Sequence, residues 1–257
     1  MVLYGIRHLY GNIRRKDVQD KERCDEENQI VGGSRVMGQK VWVILLVWAC
    51  FGMTARAQLK TYPEGLHTGL PHNDDYTVRV RIPGGEWEDL FEYNVQVDMD
   101  AVQNASMVQF DMNGTVEVMV KKNNGTVREV DIRPLSCNIQ YRQNKNVITF
   151  MLDKPQYLSV EFNGDRLHNL HLFANPLETE VYKKAEKGIM YFGPGVHAPL
   201  DLPNNLIRVP GNTTVYLAPG AVLKAKLLVD GVENVRIIGR GILACLLYTS
   251  PSPRDCS

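Results

Sequence analysis

Neither sign of charge is in excess: 29 Lys+Arg stand against 29 Asp+Glu in 257 residues, with a pI near 7. Without a basic surplus there is no electrostatic footprint for a phosphate backbone, so nucleic acid is not expected as a partner. Glycine and proline, at 21 and 13 residues, are too few for a collagenous or low-complexity chain. Cysteine is scarce where it would matter. Of five, Cys24 and Cys50 precede residue 58 and Cys245 and Cys256 follow residue 243, so Cys137 stands alone between them and no intrachain disulfide can form there. With no histidine nearby and a strand expected to follow, Cys137 reads as a packed or strand-edge thiol rather than a nucleophile.

Long apolar runs are also missing. Val41–Met53 is thirteen residues, which as a helix rises only about 20 Å, short of the roughly 30 Å hydrocarbon core. It is preceded by Lys40 and followed by Ala55-Arg56-Ala57, with small residues at −3 and −1. A secretory signal peptide over residues 37–57, cleaved between Ala57 and Gln58, fits better than a membrane anchor. The expected location is therefore secreted, periplasmic or cell-surface, with no stable membrane insertion after cleavage. Residues 1–36 read as a non-native upstream extension with Met37 the true start; the rival reading is a cytoplasmic extension on an anchored protein. At the other end, Gly239-Arg240-Gly241-Ile242-Leu243 continues a β pattern that residues 244–257 break, and this tail resembles translated adaptor or vector read-through. From Gln58 to Leu243 there are 19 basic and 22 acidic residues, a net charge of −3.

After an expected linker over 58–71, residues 72–176 show runs rich in Val, Ile, Tyr and Phe between Asn/Gly/Asp/Pro punctuation. Eight strands are expected, at Tyr76–Ile82, Phe91–Val97, Met107–Met112, Thr115–Lys121, Thr126–Ile132, Asn138–Arg142, Val147–Leu152 and Tyr157–Phe162, which is the signature of a β-sandwich or barrel. Asn113-Gly114 and Asn124-Gly125 are expected to form type I′ hairpin turns. Trp87, Phe91 and Tyr93 read as core or rim packing, with a sugar-stacking platform as the alternative. His72-Asn73-Asp74-Asp75 reads as an Asx-type turn, with a cation or catalytic carboxylate site as the alternative. Four Asn-x-Ser/Thr sequons begin at Asn104, Asn113, Asn124 and Asn212; they are compatible with glycosylation, although turn chemistry also accounts for three of them.

Residues 177–187 are Glu/Lys-rich and suit a linker with room for one helical turn. Beyond them, over 188–243, very short strands alternate with glycine turns, and Val215 to Val235 is a step of twenty residues. Such a period implies a solenoid whose coils bury inward residues only by stacking. The inward set is expected to be Val215, Leu217, Val222, Leu227, Val229, Val235 and Ile237. His197 follows a glycine turn and lacks a carboxylate orienter in its coil, so it reads as structural.

Three runs carry a resemblance: Gly193-Pro194-Gly195-Val196-His197, Thr214-Val215-Tyr216-Leu217-Ala218-Pro219-Gly220-Ala221-Val222-Leu223 and Val235-Arg236-Ile237-Ile238-Gly239-Arg240-Gly241-Ile242-Leu243. They resemble the opening coils of right-handed parallel β-helix glycoside hydrolases of the pectin-lyase-like superfamily, in the polygalacturonase-like family 28 and the dextranase-like family 49. The block from His72 to Pro176 resembles the sandwich preceding the helix in the dextranase-like family. The resemblance implies an all-β chain, an N-terminal β-sandwich followed by the first coils of a truncated right-handed parallel β-helix. It also implies a secreted polysaccharide-degrading hydrolase as the parent and a polysaccharide as the partner, with neither cofactor nor metal expected. Hydrolysis by inversion needs two carboxyl groups about 6.5–9.5 Å apart. The Asn-Thr-Asp, Gly-Asp-Asp and Gly-His-Gly strings of polygalacturonase-like proteins do not occur between Gln58 and Leu243. No catalytic residue is therefore expected here and the fragment should be inactive by itself. A polysaccharide lyase on the same solenoid and a noncatalytic carbohydrate-binding or surface module are the alternatives.

Overall fold

The computed structural model describes residues 57–62, 70–97, 101–199 and 205–244; the apolar run Val41–Met53 and the tail after residue 244 lie outside them. The named elements of the described chain are all β-strands apart from the 3-10 turn Leu135–Cys137, and no sheet closes into a barrel. The first eleven strands are β1 (Gln58–Lys60), β2 (Tyr76–Arg81), β3 (Glu88–Asp89), β4 (Tyr93–Val97), β5 (Gln103–Asn113), β6 (Val116–Lys122), β7 (Val130–Arg133), β8 (Tyr141–Asn144), β9 (Val147–Leu152), β10 (Gln156–Phe162) and β11 (Asp165–Pro176).

These form two sheets. One runs β1-β5-β11-β10-β7, with β4 also paired to β5, and the other runs β3-β2-β6-β9-β8. The period of two puts Tyr76, Val78 and Val80 of β2 on one side and Thr77, Arg79 and Arg81 on the other. The inward rows of both sheets, including Val116, Val118, Val120, Ile148 and Phe150 from one and Val108, Phe110, Val160, Leu170 and Leu172 from the other, form a single buried cluster. Each such side chain contributes roughly 1.5–3 kcal/mol through burial.

Several local readings change. Gln58–Lys60, read as linker, pair antiparallel with β5, Gln58 opposite Asn113. The two expected hairpins are not hairpins: β5 and β6 lie in different sheets, as do β6 and β7. Gly114 and Gly125 have positive φ, but Asn113 and Asn124 do not, so neither turn is type I′, which needs both. The dipeptide reported a bend; burial of the flanking rows decided which strand each one joined. The turn with both residues at positive φ is Asn163-Gly164, at 58° and 76°, which joins the antiparallel neighbours β10 and β11. Strand β11 was not expected. Cys137 is exposed, in the 3-10 turn Leu135–Cys137, because that turn buries none of its residues. Residues 177–188 form no helix.

The remaining strands are β12 (Ile189–Phe192), β13 (Gly195–His197), β14 (Leu206–Arg208), β15 (Thr214–Leu217), β16 (Ala221–Leu223), β17 (Lys226–Leu228), β18 (Arg236–Gly239) and β19 (Ile242–Leu243). They make three parallel ladders, β12-β15-β18, β13-β16-β19 and β14-β17. Ile189 pairs with Thr214 and Thr214 with Arg236. Each circuit of the chain therefore adds one short strand to a ladder. Leu217, Ala221, Leu223 and Ala225 are enclosed, with Phe192, Ile207, Leu227 and Leu243 packed on them. Val215 pairs with Ile237, not Val235, so the step in this ladder is two residues longer than the sequence suggested. Of the expected inward set, Val215, Leu217 and Val222 are buried, but Val229 and Ile237 are 44% and 48% exposed. Ile237 lies on β18, on whose far side no described strand stacks. At one corner, Asn212 and Asn234 both adopt positive φ, and Asn234 Nδ2 donates to Asn212 Oδ1 at 2.9 Å, one circuit bonding to the next.

Candidate functional site

The flagged polar segment becomes a cluster once β4 lies beside it. His72 Nδ1 faces Asp74 Oδ1 at 2.9 Å and His72 Nε2 faces Glu92 Oε2 at 3.2 Å. Glu92 is buried, and its other oxygen, Oε1, accepts Val78 N–H at 2.6 Å. Burial pushes the Glu92 carboxyl up, opposed by the hydrogen bonds from Val78 and His72. Asn73 N–H donates to the Glu92 carbonyl and Asn94 N–H to that of Pro71, both at 2.9 Å, while Asn73 Oδ1 accepts Asp75 N–H in the expected Asx turn. The arrangement clamps the segment entering β2 and could pass a proton between two carboxylates through one imidazole. Glu92 carried no sequence signal beyond lying in a strand. Nothing in the spacing of 72 and 92 predicts their pairing.

The second polar constellation joins the two-sheet body to the ladders. On β5 one side-chain row enters the shared core, while the other side presents Ala105 and Met107, which with Tyr93 and Val95 of the neighbouring β4 form the cluster that Ile242 of β19 joins. Strands covered on both faces carry apolar residues in both rows. Beside this contact, fully buried Asp111 accepts Arg240 Nε at 2.6 Å and Tyr62 Oη at 2.9 Å. Arg240 Nη2 also donates to the Pro176 carbonyl at 2.6 Å, and the Arg240 carbonyl accepts Gln109 Nε2 at 2.9 Å. Burial opposes the Arg240 charge, but the hydrogen bond and attraction of Asp111 outweigh it and hold the guanidinium pKa above its ordinary value. Burial, then Asp111, pushes the Tyr62 phenol up. The flanking glycines explain the Gly-Arg-Gly string. A Cβ on Gly239 would overlap the Leu217 carbonyl oxygen, and one on Gly241 would lie 2.8 Å from Leu217 Cβ; the backbone lies directly on the circuit beneath it. The 177–187 segment is pinned to the same surface: Tyr216 Oη donates to Glu178 Oε1 at 3.0 Å, and Arg236 makes two hydrogen bonds to Glu180 at 2.7 and 2.8 Å.

The aromatic trio separates. Tyr93 is buried and meets Phe91 edge-on at 5.0 Å, Phe91 also contacts His72 at 5.1 Å, and Trp87 lies apart beneath Arg81 at 4.2 Å. His197 Nε2 contacts the Gly193 carbonyl at 2.7 Å and its ring lies edge-on to Phe192. Ala57 immediately precedes β1, and Gln58 is its first residue. Among the described residues no three His, Cys, Asp or Glu groups converge as a metal site, and no helix is long and apolar enough to cross a membrane.

No family model matches the chain, and no curated protein matches it. Among solved structures it is similar in fold to Dex49A from Penicillium minioluteum, with a TM-score of 0.51 and 20% identity, over 71% of this chain. The match covers 47% of that protein, so the chain spans about half its length. At this identity the likeness is one of fold alone.

Proposed function

We propose that this chain is the N-terminal part of an exported, polysaccharide-degrading glycoside hydrolase of the dextranase-like kind. Residues 72–176 are its β-sandwich, 177–187 the connection, and 188–243 the opening coils of a right-handed parallel β-helix. The observation that carries the reading is the set of three parallel ladders abutting a two-sheet body, the same order of parts that the family resemblance implies. The fold likeness to Dex49A supports it. In this reading the sandwich packs against the third circuit through Arg240, Asp111 and Ile242, and the acid and base carboxylates stand on further coils. The signal peptide ends at Ala57, and the 244–257 tail is foreign.

Sequencing the source gene through codon 244 tests the reading. An open frame adding coils with clustered aspartates, whose product releases reducing sugar from dextran or polygalacturonate with inversion, is the expected result. Further coils without a carboxylate cluster would overturn it in favour of a binding module, and a basic groove with acidic Ca²⁺ ligands in favour of a lyase.

A further inference from the structure

We propose that Asn113 is an N-glycosylation acceptor and that its glycan shields the β1 edge of the six-stranded sheet; this rests on the export reading above. All four sequon asparagines are exposed, and their side chains are committed differently. Asn104 lies within the β4–β5 pairing, opposite Gln96, and accepts Asn94 Nδ2 at 3.4 Å. The hydroxyl residue of its sequon, Ser106, is fully buried. Asn124 donates its Nδ2, the atom a glycan would occupy, to Asp75 Oδ1 at 2.6 Å. Asn212 accepts Asn234 Nδ2 at 2.9 Å in the corner ladder. Asn113 has none of these ties: it is the last residue of β5, and its side chain makes no hydrogen bond among the described residues.

Position gives the glycan a role. Asn113 pairs with Gln58 of β1, the edge strand, and exposed strand edges are pairing templates that proteins blunt with charge, proline or cover. Gln58 and Lys60, on β1, are exposed. A bulky, solvated group at Asn113 stands beside that edge and breaks no side-chain hydrogen bond among the described residues.

The test is translation of the full chain, with a heterologous cleavable leader fused ahead of Met1, in the presence of endoplasmic-reticulum microsomes. Because that leader delivers the chain to the lumen, the result does not depend on the chain's own export signal, which is tested separately by protease protection of the unfused chain. The expected result is that N113Q and T115A each remove one mobility step sensitive to peptide-N-glycosidase, while T115S keeps it. A lumenal chain with the same number of glycans in N113Q as in the parent would overturn the proposal.

Discussion

Asp111 has no exposed surface, and its partner guanidinium is only 17% exposed, so their pairing is a buried one in which removing either group strands the other. Such a loss costs about 3–5 kcal/mol, whereas replacing both groups by apolar ones of similar volume is close to neutral. D111A should therefore lower the stability of the chain by about that amount, and D111L with R240M by much less than the two single changes together. Urea denaturation of the four proteins measures this, and additive losses would show that the pair does not couple. The second prediction concerns His171, 93% of whose surface is buried on β11, with Nε2 lacking a hydrogen bond. Burial lowers its pKa from 6.5 to about 4. An unfolded chain binds a proton on this histidine below about pH 6.5, while the folded chain remains neutral until near pH 4. Stability must therefore fall as pH drops through that window, by on the order of 3 kcal/mol in total. H171Q should flatten the stability profile between pH 6.5 and 4; an unchanged slope would assign the pH dependence to other groups.

Turn chemistry becomes measurable at the level of single elements. Gly164 closes the β10–β11 hairpin at φ 76° with open space where a Cβ would be, whereas Gly239 has φ 119° with the Leu217 backbone in that space. G164A should cost only the left-handed penalty of about 1–2 kcal/mol, while G239A adds a backbone overlap and must push β18 off β15. Thermal melts of the two variants should differ clearly in that order; equal losses would mean that the circuits are not closely stacked there. The same elements show what was legible in the chain. Strands with one wet face, such as β2, β6 and β9, announced themselves by strict alternation. Strand β11 did not, because its outer row of Asn169, His171, Phe173 and Asn175 is covered by neighbouring structure in a way no local pattern encodes, and its polar start from Asp165 to His168 looks like loop. The sheet to which β6 belongs was likewise hidden, since Asn113-Gly114 fixes a bend without choosing a partner. In the polar cluster His72 and Asp74 were visible as a dense run, but Glu92 is twenty positions away and reaches them only because His72 bridges to Tyr93 of β4. Asp111 and Arg240 were invisible for the same reason, being brought together across 129 positions.

Across the whole molecule, the distribution of buried residues predicts two bodies of unequal independence. The main cluster is drawn entirely from Tyr76 to Ala174, so its burial is complete before the ladders begin. The enclosed ladder cluster is small, with Leu217, Ala221, Leu223 and Ala225 as its buried members, and its neighbour Ile242 is enclosed by contact with Tyr93 and Met107 of the first body. Stacked circuits that touch only their neighbours depend on a cap for their end surfaces. A chain of residues 58–176 should therefore fold alone and unfold in one cooperative step. Trp87, the sole tryptophan after residue 57, would report that step by fluorescence, and far-UV circular dichroism should trace the same midpoint in urea. Its stability should be somewhat below that of the 58–244 chain, because Tyr93 and Met107 lose the cover of Ile242. Residues 177–244 alone should show no cooperative transition. If the two halves unfolded independently with the same midpoints as in the joined chain, the Arg240–Asp111 contact would carry no coupling, and the first body would be a neighbour of the coils rather than their support.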